Sequence, residues 1–273
     1  MIKEMLTNVR EKRPLVHNIT NYVTVNDCAN ALLAIGAAPI MSDEIDDVCD
    51  ITEICTGLNI NIGTLNKNTV KAMLTAGTKA KELFHPVLLD PVGAGASQMR
   101  TQTADLIIKE VKPTVIRGNI SEIKALAQGK STTKGVDADI ADAVSENNIE
   151  SVICFAKQFS KETGAVIVIT GAIDLIVNET VAYSVTNGHQ MMSSITGTGC
   201  MLSAIMTAFI STNSEDILKA CLAAVSMMGV CGERAYKRLT EHDGNATYRN
   251  YIIDELYNIT PEELEKGAKY EIR

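Results

Sequence analysis

Short, nearly unbroken apolar runs restrict this chain more than any other feature: PVLLDPV at residues 86–92, TVIRGN at 114–119 and AVIVIT at 165–170. A strand wetted on one face alternates apolar and polar residues, so these runs predict strands covered on both faces. Residues 38–41 and 58–63 give two further strand candidates. Longer segments of helical periodicity separate the five, and that alternation predicts an α/β fold. Its form is a three-layer sandwich, with a mostly parallel central sheet flanked by helices. Polar residues collect at the carboxyl ends of the runs, where open α/β sheets bind their ligands.

Within DLIVNETVAYSV, residues 174–185, two β-like runs surround Asn178-Glu179, which predicts an antiparallel hairpin at the sheet edge and therefore a mixed sheet. Helical patterns follow at 199–210 and 214–238, and Thr260-Pro261-Glu262-Glu263 reads as a helix start with proline at its first position. No repeat or Gly/Ser/Pro linker divides the 273 residues, so one domain over 1–273 is expected.

The 25 basic and 33 acidic side chains leave a net charge of −8, so no global basic field exists to hold a nucleic acid or an anionic membrane. An anionic ligand must be met locally. The longest apolar-rich stretch, 201–210, is too short for a bilayer, and MIKEMLTNVREKRP lacks the apolar centre of a signal peptide. Seven scattered cysteines without a CxxC pair read as reduced thiols, and a cytoplasmic protein is expected.

Four segments can carry chemistry. In Ser194-Ile195-Thr196-Gly197-Thr198-Gly199-Cys200, two glycines fall where a helix presents its free N–H groups; the segment is either an anion hole, with Thr196 or Thr198 adding hydroxyls, or a loop that lets a helix pack closely. Cys200 lies on that first turn, where the helix dipole should favour a thiolate base or nucleophile; the alternative, a small buried hydrophobe, suits the other six cysteines better. Asp90 ends an apolar strand and either meets a magnesium ion or forms a turn before Pro91. Asn119 and Glu122 have capping-box spacing, while Arg117 suits a phosphate and Glu122 could reach the metal through water. Two nucleotide signatures fail. Gly129-Lys130-Ser131 lacks the first glycine of a P-loop, since Lys124 stands there, and Gly93-Ala94-Gly95 has Gln98 at the third glycine position of GxGxxG.

Together with Pro14-Leu15-Val16-His17-Asn18-Ile19-Thr20-Asn21 and the segment 37–41, these residues make the chain resemble the hydroxyethylthiazole kinases, a thiamine-pathway family in the ribokinase-like group, over residues 14–238. The first motif and Cys200 are the specific ones, because related kinases generally carry aspartate at the cysteine position. The resemblance implies transfer of the ATP γ-phosphoryl group to 4-methyl-5-(2-hydroxyethyl)thiazole, with Mg2+. It implies homotrimers with active sites between subunits. It also implies thiazole or substrate contacts at Met41 and Gly197, ATP contacts at Arg117 and Thr170, and a magnesium region at Asp90 and Glu122. Cys200 would accept the alcohol proton, and Gly197, Thr198 and Gly199 would form the anion hole. Asn18, Thr20 and Asn21 could equally cap or turn the chain. A hydroxymethylpyrimidine kinase, a cysteine-dependent acyl transferase and a non-catalytic nucleotide-binding protein are the competing readings.

Overall fold

The computed structural model describes residues 2–128 and 143–273. Gly129-Lys130-Ser131, the segment set aside as a P-loop, lies outside them. The described strands are β1 Leu15–Ile19, β2 Ala38–Met41, β3 Gly57–Asn61, β4 Val87–Asp90, β5 Val115–Asn119, β6 Val166–Thr170, β7 Asp174–Val177, β8 Ala182–Val185 and β9 Tyr270–Ile272. They form one sheet in the order β2-β1-β3-β4-β5-β6-β7-β8-β9. Neighbours from β2 to β6 run parallel, and the β6–β7, β7–β8 and β8–β9 pairs are antiparallel. A mixed, mostly parallel sheet is therefore present, as the apolar runs predict.

The differences have local causes. Strand β1 has no unbroken apolar run because His17 and Asn18 interrupt it, yet both are buried through specific hydrogen bonds. Strand β4 is shorter than the run at 86–92, since Pro86 and Pro91 cannot donate to a ladder. The predicted hairpin forms, with the Asn178 side chain accepting from the N–H groups of Thr180 and Val181. It is not the sheet's edge, because β9 pairs beyond it.

The helices are α1 Ile2–Lys12, α2 Val25–Ile35, α3 Val48–Ile54, α4 Lys67–Glu82, α5 Gln98–Glu110, α6 Ile120–Gln128, α7 Ile149–Thr163, α8 Thr198–Thr212, α9 Ile217–Lys237, α10 Asn245–Asn258 and α11 Pro261–Gly267. Sheet residues alternate between two apolar cores. Val16, Leu88, Val115 and Val168 pack with α1, α2, α8 and α9 on one side, and Ile60, Leu89, Ile116 and Ile167 pack with α4 to α7 on the other. Helix α8 is apolar nearly all round and is buried from Met201 through Ile210, as such a helix must be. Packing rather than a side-chain cap fixes where its N-terminus points. Among the described residues, no helix is long and apolar enough to cross a membrane. All seven cysteines are unpaired; Cys154 is exposed and Cys49 half-buried, against the expectation of burial for both.

Candidate active site

At the carboxyl ends of the parallel strands, polar side chains stand in register. Asn18 of β1 pairs with Met41 of β2 and Asn59 of β3, and Asn61 of β3 pairs with Asp90 of β4. Asp90 is fully buried. Its Oδ2 accepts from Asn61 Nδ2 at 2.9 Å, Ser203 Oγ at 2.8 Å and Arg117 Nη1 at 3.3 Å, while its Oδ1 has no partner. Burial pushes the Asp90 carboxyl above the usual carboxylate range, with Arg117 and the Ser203 hydrogen bond pulling it back.

Arg117 spans the crevice. Its Nη2 donates to Thr170 Oγ1 at 2.6 Å, and its Nε is buried without a partner. The guanidinium lies against Gly199, where a Cβ would stand 2.7 Å from Nη1. Gly197 is constrained in another way: it holds φ +95° at the N-cap of α8, and a Cβ there would reach 2.5 Å from Thr24. No side chain caps this helix, so its first-turn N–H groups remain available to an anion. The Thr198 hydroxyl reaches the Met192 carbonyl at only 3.5 Å, and Thr196 is exposed.

Cys200 is buried beside these groups, and Asn21 Nδ2 at 3.0 Å and Asn61 Nδ2 at 3.3 Å donate to its Sγ. The expectation that the helix dipole would favour its thiolate is corrected. Burial, then the nearby Asp90 charge, raise the thiol's pKa, and the asparagine and Thr24 hydrogen bonds only partly oppose them. The sulfur loses solvation on ionising, and this is the largest cause of the shift.

Glu122 sits at the rim. Its Oε2 accepts from Asn119 N and its Oε1 from Gly93 N, while Asn119 Oδ1 accepts from Glu122 N, so the capping box is present. Asp90, Arg117, Thr170, Gly199 and Cys200 thus converge, with Glu122 on one flank. Met41 lies apart on the edge strand, half-buried beyond Asn18. Asn21 belongs to the Cys200 cluster, whereas Asn18 donates to its own strand at Val16 O and accepts from Asn59. The sequence reading missed Asn61, Ser203 and Asp174. Polar Asn59 and Asn61 inside the apolar run 57–62 were a signal for the first, and Ser203 follows Cys200 by one helical turn.

A cavity of about 480 Å³ opens beside Arg117, Thr170, Asp174, His189, Thr198 and Gly199. The ring of His189, one of its lining residues, stacks on Tyr236 at 3.5 Å. Its size suits a nucleotide-sized ligand.

A mostly parallel central sheet flanked by helices, with polar side chains gathered at its carboxyl ends, defines a three-layer α/β protein. A ribokinase-like superfamily protein from Enterococcus faecalis has this fold, with a TM-score of 0.62 at 13% identity over 97% of this chain and 95% of that one. Within that class the chain belongs to the hydroxyethylthiazole kinase family, whose model matches residues 6–262. It is 63% identical to the hydroxyethylthiazole kinase of Clostridium acetobutylicum over 99% of both chains. The solved hydroxyethylthiazole kinase of Pyrococcus horikoshii matches with a TM-score of 0.88 at 34% identity, over 100% of this chain and 98% of that one.

Proposed function

We propose that the chain phosphorylates the primary alcohol of 4-methyl-5-(2-hydroxyethyl)thiazole with the γ-phosphoryl group of ATP, giving the thiazole phosphate for thiamine biosynthesis and salvage. The observation that carries this reading is the meeting of Arg117 and the α8 N-terminus between the cavity and Cys200. The nucleotide occupies the cavity against Thr170 and Arg117, and the acceptor approaches from the Met41 and Gly197 side.

Phosphoryl transfer through a loose transition state needs alignment and charge neutralisation more than covalent help. Arg117 and the N–H groups of the Gly197, Thr198 and Gly199 turn hold the migrating phosphoryl group. Cys200 receives the alcohol proton at Sγ. Its thiolate is a minor form near neutral pH, so its contribution is smaller than that of the phosphate-binding groups.

Asp90 and Glu122 fit magnesium in a limited sense. Asp90 carries an unpartnered buried Oδ1, and among the described residues no cluster of three or more His, Cys, Asp or Glu forms a protein cage. That donor set suits an ion that takes most of its ligands from phosphates and water. Magnesium would supply neutralisation of the β- and γ-phosphate charge.

A homotrimer with active sites between neighbouring subunits completes the acceptor side. Its support is the edge strand β2, half-buried along its length and flanked by exposed Tyr22, Val23 and Ile45, since an unpaired edge invites covering. We read the whole chain, 1–273, as one domain of a cytoplasmic enzyme, consistent with its seven free thiols. The decisive experiment measures ATP consumption with the thiazole alcohol, with and without magnesium. Turnover that needs both supports the reading, and silence with both present refutes it.

A further inference from the structure

His17 has no part in the chemistry above, yet it is fully buried and both ring nitrogens are engaged. Nε2 lies 2.9 Å from the Ser42 carbonyl oxygen and Nδ1 lies 2.9 Å from Thr52 Oγ1. A carbonyl only accepts, so Nε2 carries the proton. Burial holds the ring's pKa below its usual value, which keeps it neutral, and Nδ1 is left as an acceptor that shares the single Thr52 hydroxyl proton with the Val48 carbonyl. The hydroxyl donates to the Val48 carbonyl at 2.7 Å, which fixes its oxygen beside the ring.

These two contacts bracket one stretch of chain. Ser42 directly follows Met41 at the end of β2, and Thr52 lies in α3, so the imidazole grips both ends of the connection that leaves the edge strand. Within the connection, Ser42 Oγ donates to Asp47 Oδ2 at 2.5 Å and the Tyr22 hydroxyl donates to Asp43 Oδ2 at 2.5 Å. Strand β2 pairs with β1 only as far as Met41 and, among the described residues, has no strand on its other side. No ladder holds Ser42, and the His17 bond takes the place of the next rung.

We infer that His17 is a positioning residue for the acceptor alcohol, holding Met41 and the segment behind it at the height the alcohol needs. This inference rests on the kinase reading above, with Met41 as an acceptor contact. It assigns His17 no proton transfer. The nucleotide side, built on β5, β6 and α8, should be indifferent to it.

The test compares His17→Phe, His17→Gln and Thr52→Val with wild type in steady-state kinetics using ATP and hydroxyethylthiazole. His17→Phe should raise the KM for the alcohol about tenfold or more, because small misplacements of a binding contact are costly. The KM for ATP should stay unchanged. His17→Gln, whose amide N–H can still reach the Ser42 carbonyl, should recover most of the loss, and Thr52→Val should give a smaller rise in the same constant. Equal shifts in both KM values, or a glutamine variant no better than phenylalanine, would overturn the inference. Should His17→Phe fail to fold, the other two variants decide it by the same split. Ring-nitrogen NMR of the wild-type protein gives a readout without turnover: a proton on Nε2 is expected, and a proton on Nδ1 alone would overturn the inference. Wild-type protein inactive on the alcohol would overturn the parent reading and this one together, and would be visible before any variant is compared.

Discussion

Two buried carboxylates, each beside arginine, are built to opposite ends. Glu255 on α10 faces Arg234 Nε at 2.7 Å and Arg238 Nη1 at 2.9 Å; these guanidiniums also reach Glu263 and Asp254 and so tie α9, α10 and α11 together. Asp90 meets one guanidinium at 3.3 Å, concentrates three donors on Oδ2 and leaves Oδ1 empty-handed, while Arg117 leaves Nε unpartnered. The charges around Glu255 are paired off against one another, Oε2 meeting Arg234 as an ion pair without hydrogen-bond geometry. Beside Asp90, only Arg117 lines the cavity, and the pair keeps two unpartnered buried polar atoms, an incompleteness that costs stability and that the proposed kinase reading assigns to ligand binding.

If that contrast holds, the two regions should respond differently to mutation. The largest effect belongs to Arg117→Met, expected to lower kcat/KM about 10³-fold, the lower end of the range for an arginine on a migrating phosphoryl group. The melting temperature should barely move, because the Asp90 carboxyl, already raised by burial, can take up a proton when its partner is lost. Steady-state kinetics and thermal unfolding on one preparation check both halves. Next comes Cys200→Ala, with a fall of about 10²-fold in kcat by the general-base range. Cys200→Asp should keep activity and extend it to lower pH, since a carboxylate ionises well below a thiol raised by burial; equal activity in the alanine variant and wild type would remove the base. Glu255→Gln should leave both KM values alone and destabilise the fold by about 2 kcal/mol in urea unfolding. That figure lies below the usual cost of breaking a buried pair because both arginines are about a third exposed.

The open region was also the more legible in the sequence. Asp90 ends β4, Gly197, Gly199 and Cys200 begin α8, and Arg117 is a charge inside the apolar run of β5; local pattern marks all of these positions. The runs that place them are unbroken because both sheet faces are covered. Glu255 and its arginines gave no such signal: they sit on helix faces whose partner is another helix, and spacing along one helix does not name a neighbour from another. Strand β1 was hidden for a related reason, since His17 and Asn18 are polar residues made buriable by partners distant in sequence. The position of Cys200 in the first turn of α8 is legible in the sequence, whereas its ionisation is not. A helix start can be read from sequence, whereas the burial that raises the thiol depends on α8 lying inside the molecule.

A third carboxylate lies between the two extremes and yields the smallest effect. Asp174, half-buried on the cavity wall, accepts one hydrogen bond, from Gly171 N at 2.9 Å, and has the Arg117 charge nearby. Burial outweighs both and pushes its pKa up to about 7. In the unfolded chain this side chain ionises near the ordinary value of 3.8, so between those two pH values the unfolded chain holds fewer protons than the folded one. Stability from this group therefore falls as pH rises through that window and stays low above it. Asparagine keeps an oxygen for Gly171 N and cannot ionise. Asp174→Asn should thus be more stable than wild type at pH 7.5, by about 1 kcal/mol once partial exposure is allowed for. The gap should close as pH is lowered towards 4. Urea unfolding at the two pH values checks it, and a gap that widens in acid would mean that Asp174 is held charged by Arg117 and belongs with Glu255 among the closed pairs.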